Sequence, residues 1–114
     1  MMDCILCKII AGSIPSERVL EDDGFVAIRD IHPKSAIHVL VMPRAHVRSL
    51  NDVAGWHDDA TGQRLLEFVV RVAGMLGIRD SGYRVITNAG PDSGQEVDHM
   101  HLHVMGGERL GDFH

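Results

Sequence analysis

Apolar positions change period several times along the chain, and each change marks an expected element. Cys4 to Ile10 reads as a short N-terminal helix, stopped by Gly12-Ser13 and Pro15. Arg18 to Glu21 and Phe25 to Arg29 read as short strands, and the Asp22-Asp23-Gly24 turn between them makes a hairpin. Ile37 to Met42 is β-branched and apolar between Pro33 and Pro43, and its length suits a buried strand better than a helix. From Asp58 to Leu76 the residues Leu65, Leu66, Val69, Val72, Ala73 and Leu76 recur at helical spacing, and Gly77 supplies the stop. Tyr83 to Thr87 alternates as a strand, Asn88 to Gly94 is rich in turn residues, and His99 to Met105 forms the last strand. Strands gathered around one long helix, without regular strand–helix alternation, predict an α+β fold: an antiparallel meander sheet crossed on one face by the helix. Residues 1–114 suit a single domain.

Composition narrows the function classes. The formal net charge is -5 and the basic residues are scattered, so the footprint of a sequence-independent nucleic-acid binder is missing. A small anionic ligand remains possible. The longest apolar runs, such as Val39 to Met42, are far too short to span a bilayer, which excludes a membrane helix. The start shows no basic segment followed by an apolar stretch, so a cytoplasmic location is expected.

The informative segment is His99-Met100-His101-Leu102-His103-Val104-Met105. Alternation places Met100, Leu102 and Val104 on one side of a strand and the three imidazoles on the other. Three histidines in strict alternation point to chemistry rather than to ordinary core or surface use. Alternate strand residues stand about 7 Å apart, so His99 and His103 lie about 13 Å apart at Cα and one metal ion does not suit all three. The central His101 is the natural nucleophile, provided one ring nitrogen is held as a donor.

Followed by Gly106-Gly107, this run resembles the signature of the histidine triad (HIT) hydrolases and transferases. Cys4-x-x-Cys7-Lys-Ile-Ile, Glu21-Asp22-Asp23, His38-Val-Leu-Val-Met-Pro and Asn88 to Gln95 resemble the HINT branch of that family, in order and over nearly the whole chain. The resemblance implies a HIT fold and attack by His101 on the α-phosphorus of a nucleotide, through a covalent nucleotidyl-histidine that water hydrolyses. His103 would contact the phosphate and help the leaving group depart, with His38 beside it. Asn88 would bind near ribose and phosphate, and Gly94 would bring backbone N–H groups to the phosphate. Asp30 would accept from the ribose hydroxyls, and Ile14, Ile28 and Ile31 would wall the base. Glu96 stands where many HINT proteins carry a phosphate-touching serine, and its carboxylate would repel that anion if turned inward. The implied activity is hydrolysis of purine nucleoside phosphoramidates. Diadenosine-polyphosphate hydrolysis and nucleotidyl transfer stay open, although Asn88 replaces the glutamine usual in the polyphosphate branch. A zinc-stabilised nucleotide-binding adaptor, its catalysis weakened by Glu96 or Asp98, is the alternative from another class.

Cys4 and Cys7 have metal-ligand spacing, but two thiolates leave a tetrahedral zinc two ligands short. The resemblance implies His46 and His99 as the other two, a structural Cys₂His₂ site. A thioredoxin-like redox pair is the competing reading, against which stands the lack of a strand before Cys4. No organic cofactor is implied, and family members of this length are expected to form homodimers.

Overall fold

The computed structural model describes residues 4–56 and 58–112. Helix α1 spans Ile5–Ile10, with Cys4 as its N-cap accepting from the Cys7 N–H at 3.3 Å. Strands β1 (Arg18–Glu21) and β2 (Phe25–Arg29) form the expected hairpin. Its turn is built by Asp22, whose Oδ1 accepts the N–H groups of both Gly24 and Phe25 at 2.9 Å. Strand β3 (Ile37–Pro43), helix α2 (Thr61–Met75) and strands β4 (Tyr83–Ile86) and β5 (Leu102–Gly106) complete the fold. Short 3-10 turns at Leu50–Gly55 and Pro91–Ser93 lie in the connections.

The sheet is antiparallel throughout, as expected for the α+β reading, with strand order β1-β2-β3-β5-β4. The meander runs through β1, β2 and β3. After α2 the chain returns at the far edge as β4, and β5 then fills the gap beside β3. The histidine-bearing strand is therefore central, paired on both sides, and cannot slip without breaking two ladders.

Register assigns each face. Ala27 lies opposite Val41, Val39 opposite Val104 and Val41 opposite Leu102, so these residues share the face packed on Leu65, Phe68, Val69, Val72 and Ala73 of α2. The buried stripe on α2 follows the i, i+3, i+4 rule from Leu65. Leu66, expected on that stripe, is 63% exposed, while Phe68 at 1% takes the central position. A step of 100° per residue turns Leu66 away from the face that Leu65 buries. The helix also starts later than Asp58, because Asp58 accepts from Ala60 N–H through its side chain and from Thr61 N–H through its carbonyl, which makes a lead-in turn. Gly77, at φ 72°, ends it, and Ile78 N–H closes back on Ala73 O at 3.0 Å.

The opposite face is only partly covered. Leu6 of α1 packs there with Val26, Ile28 and Met42. Leu40 packs on the edge of that cluster, and beyond it His38, His103 and Met105 continue the face along the cavity where the site forms. Among the described residues no helix is long and apolar enough to cross a membrane.

Candidate active site

The histidine row does not behave as one strand face. Strand β5 begins at Leu102, and its ladder with β3 stops at Val41↔Leu102, two residues short of the end of β3 at Pro43. Met100 N–H instead donates to Val47 O at 2.7 Å. Met100, Leu102 and Val104 are buried as expected. His101 and His103 line an open cavity of about 450 Å³, whereas His99 is fully buried, contrary to an all-histidine surface.

Hydrogen bonds assign the tautomers. His101 Nδ1 lies 2.8 Å from the His99 carbonyl, which only accepts, so Nδ1 carries the proton and Nε2 keeps its lone pair. That is the nucleophilic form. His38 Nδ1 accepts the Lys34 N–H at 3.0 Å, so neutral His38 is protonated at Nε2, which donates to His103 Nδ1 at 2.8 Å. His103 therefore carries its proton on Nε2, available to a ligand in the cavity. One acceptor nitrogen and one donor nitrogen thus sit on neighbouring imidazoles, with ring centroids 5.2 Å apart.

The surroundings disfavour the charged form of His103 and His38. Burial, with the neighbouring His101 and His38 rings adding to it, pushes His103 down to about 4. Burial also lowers His38, opposed by the Asp30 carboxylate 3.4 Å away. The Asp30–His38 contact is thus a polar contact to a neutral ring rather than an ion pair. A stability prediction follows from His103. The unfolded chain binds a proton near pH 6.5 that the native ring refuses until about 4, so stability falls as pH drops through that window. Melting temperatures at pH 7, 5.5 and 4.5 should decline, and His103→Gln should flatten part of the slope; an unchanged slope in the variant would remove His103 as its source.

Asn88, Gly94, Gln95 and Glu96 line the same cavity from the loop after β4, and Asp30 lines it from the strap before β3. Gly94 follows the Pro91–Ser93 turn at φ 84°, a left-handed conformation that favours glycine. The apolar wall is not gathered in the same way. Ile28 belongs to the core, Ile14 is half-buried, and Ile31 beside Asp30 is 85% exposed; none of the three lines the cavity. His32 and Lys34, which sequence reasoning passed over, do line it. The signal was the Asp30-Ile31-His32-Pro33 run: Asp30 Oδ1 accepts His32 N–H at 2.8 Å, a turn that folds the strap over the site and presents the Lys34 N–H to His38.

A second cluster lies behind His101. The ligand atoms of Cys4, Cys7, His46 and His99 all lie within 4.8 Å of one another. Cys7 Sγ is 3.3 Å from His46 Nδ1, and His99 Nδ1 is 3.4 and 3.5 Å from Cys4 and Cys7 Sγ. A tetrahedron with bonds of about 2.1–2.3 Å has edges of about 3.4–3.8 Å, so the donor set fits zinc. The His99 tautomer agrees, because Nε2 donates to Pro43 O at 2.8 Å and leaves the Nδ1 lone pair facing both sulfurs. Asp30, His38 and His103 are equally close together, but there the Nε2 of His38 carries a proton and is no ligand. Burial pushes the Cys7 thiol up, the opposite of a redox-active thiolate.

Comparison with known proteins places this geometry. The HIT domain family model matches residues 11–110. The purine nucleoside phosphoramidase of Escherichia coli K12 is 40% identical over 109 residues, covering 96% of this chain and 91% of that protein. A histidine triad protein from Clostridium difficile superimposes with a TM-score of 0.90 at 38% identity, covering 100% of this chain and 98% of the other. A HIT family hydrolase from Legionella pneumophila gives 0.86 at 36% identity and 96% coverage of both chains. With the histidine row leading into the central strand and the match running through every element of the sheet, this chain belongs to the HIT family and is a HIT family hydrolase.

Proposed function

We propose that the protein hydrolyses the P–N bond of purine nucleoside phosphoramidates, with His101 as nucleophile. The observation that carries this reading is the pair of opposed tautomers: the His99 carbonyl leaves His101 Nε2 unprotonated, while His38 leaves His103 Nε2 protonated. His101 Nε2 attacks the α-phosphorus, the P–N bond breaks, and the leaving nitrogen takes a proton from His103. An anionic phosphate in the cavity raises the proton affinity of His103 above its depressed resting value, and a proton from solvent enters the His38–His103 pair: His103 then holds one on each nitrogen, while His38 carries its own on Nδ1 and gives up the Lys34 N–H. Water then cleaves the nucleotidyl-histidine, returns a proton to His103 and releases the nucleoside monophosphate.

Asp30 accepts from the ribose hydroxyls, and Asn88 with the backbone at Gly94 binds the phosphate side; all three face the cavity. Exposed Ile31 offers an apolar surface for the base, and Ile14 and Ile28 would have to support it from outside the cavity. Cys4, Cys7, His46 and His99 hold a structural zinc that ties α1 to the catalytic segment, supported by the tetrahedral spacing and the His99 tautomer. Two copies associate in a cytoplasmic homodimer, for which the apolar residues left outside on α2 (Leu66, Met75) and on edge strand β4 (Val85) supply a surface. Sedimentation at micromolar concentration should show the dimer; monomer alone would reject it.

The activity is tested by mixing the protein with adenosine phosphoramidate and a fluorogenic adenylated amine and following adenosine monophosphate release. Turnover of both is expected. Turnover of neither, with cleavage of a diadenosine polyphosphate, would move the substrate to a P–O bond.

A further inference from the structure

The cavity around His101 and His103 is charged in an unexpected sense for an anion site. Its lining carboxylates, Asp30 and Glu96, outnumber its one ammonium, Lys34. Asp30 is engaged by His32 N–H and His38. Glu96 is exposed and makes no hydrogen bond or ion pair among the described residues. Arg48, a cation that reaches this loop, lies 3.5 Å from Asp98 instead.

Glu96 is also held where it is. Gln95 Oε1 accepts Gly90 N–H at 2.8 Å, and its Nε2 donates to Arg48 O at 2.7 Å and Val97 O at 3.0 Å. Val97 packs into the apolar cluster of Leu6, Val26 and Met42. Anchored on both sides, Glu96 does not leave the cavity wall with a loop movement.

A free carboxylate on a backbone held beside a phosphate site weakens binding of an anion that arrives alone. The same carboxylate favours a ligand that carries a positive charge next to its phosphate. On the reading of the site given above, we propose that Glu96 selects phosphoramidates whose leaving amine bears a further cation, an ammonium or guanidinium group. Two unit charges about 5 Å apart in a site open to water, at an effective dielectric of about 40–80, make a preference of about four- to fifteenfold. Salt screens it, since the Debye length is about 10 Å at 0.1 M.

The test uses two adenosine phosphoramidates of equal chain length, one ending in an ammonium and one in a hydroxyl. Their kcat/KM ratio is measured for the unmutated protein, Glu96→Gln and Glu96→Lys, at 0.05 and 0.5 M salt. We expect a ratio favouring the cation, near unity in the glutamine variant, inverted in the lysine variant, and reduced by salt. The ratio of dissociation constants on His101→Ala, with and without Glu96→Gln, reads the same preference without turnover. It decides the proposal even if phosphoramidates are bound but not cleaved, which would sink only the hydrolytic reading. A ratio unchanged by Glu96→Gln, or both substrates shifting together, overturns the proposal; failure of both ligands to bind overturns it together with that reading.

Discussion

His101→Ala should lose nucleoside monophosphate release by at least about 10³-fold while the protein stays folded. The expected loss is large because the substitution removes the one cavity-lining imidazole, among the described residues, whose Nδ1–H is held by a carbonyl so that Nε2 keeps its lone pair. His103 cannot replace it, since its Nδ1 is occupied by His38 and its Nε2 carries the proton. The fold should survive because His101 contributes backbone rather than side chain to its surroundings. Its carbonyl accepts from Thr87 Oγ1 at 2.9 Å, and its half-buried ring hydrogen-bonds the His99 carbonyl and stands edge-on to the His103 ring. An unchanged melting temperature with full loss of turnover is the expected pair of results. A covalent nucleotidyl adduct trapped by acid quench on the unmutated protein, absent from the variant, would complete the case. Turnover retained in a folded His101→Ala protein would end the covalent mechanism.

Removal of the metal cluster should give the second large effect. The unmutated protein should carry one zinc per chain by elemental analysis, and His46→Ala should lose it and melt about 10 °C lower or more. A ligand bound at about a thousand times its dissociation constant stabilises by about 4 kcal/mol, and 1 kcal/mol moves the melting temperature of a small domain by about 4 °C or somewhat more. His46 is the informative position because it is half-buried, so truncating it opens little core, while it removes one of the four ligands. Activity should fall less than in His101→Ala. The route is indirect: His99 gives its ring to the cluster and its carbonyl to His101, so a loosened His99 loosens the tautomer of His101. Unmutated protein without zinc would dispose of the metal site and leave Cys4 and Cys7 packed against His46 and His99.

Most of the secondary structure was legible because its signals are local. The Asp22-Asp23-Gly24 turn, the β-branched run of β3 and the spacing from Leu65 to Leu76 each depend on residues only a few positions apart. A local competitor, the Asp58 side chain, delays α2, whereas β5 starts later than expected where Met100 N–H donates to the distant Val47 carbonyl. The error at Leu66 was one of phase: two adjacent leucines cannot both face a sheet from one helix, and only packing against Phe25 and its neighbours decides which one does.

The order of the histidines, the spacing of the cysteines and the alternation that buries Met100, Leu102 and Val104 were determined by the chain itself. They suffice to name a nucleophile candidate and a ligand set. The division of labour among the histidines was decided by tertiary structure alone. His99 is buried and faces sulfur because β3 ends at Pro43 and a carbonyl there takes its Nε2–H. His38 and His103 share a hydrogen bond because β3 and β5 are neighbours, a pairing between residues 65 positions apart. A hydrogen's place on an imidazole depends on what its other nitrogen meets, and those partners come from distant segments. The sequence therefore specifies which groups can do chemistry, and the fold specifies which nitrogen of each is free to do it.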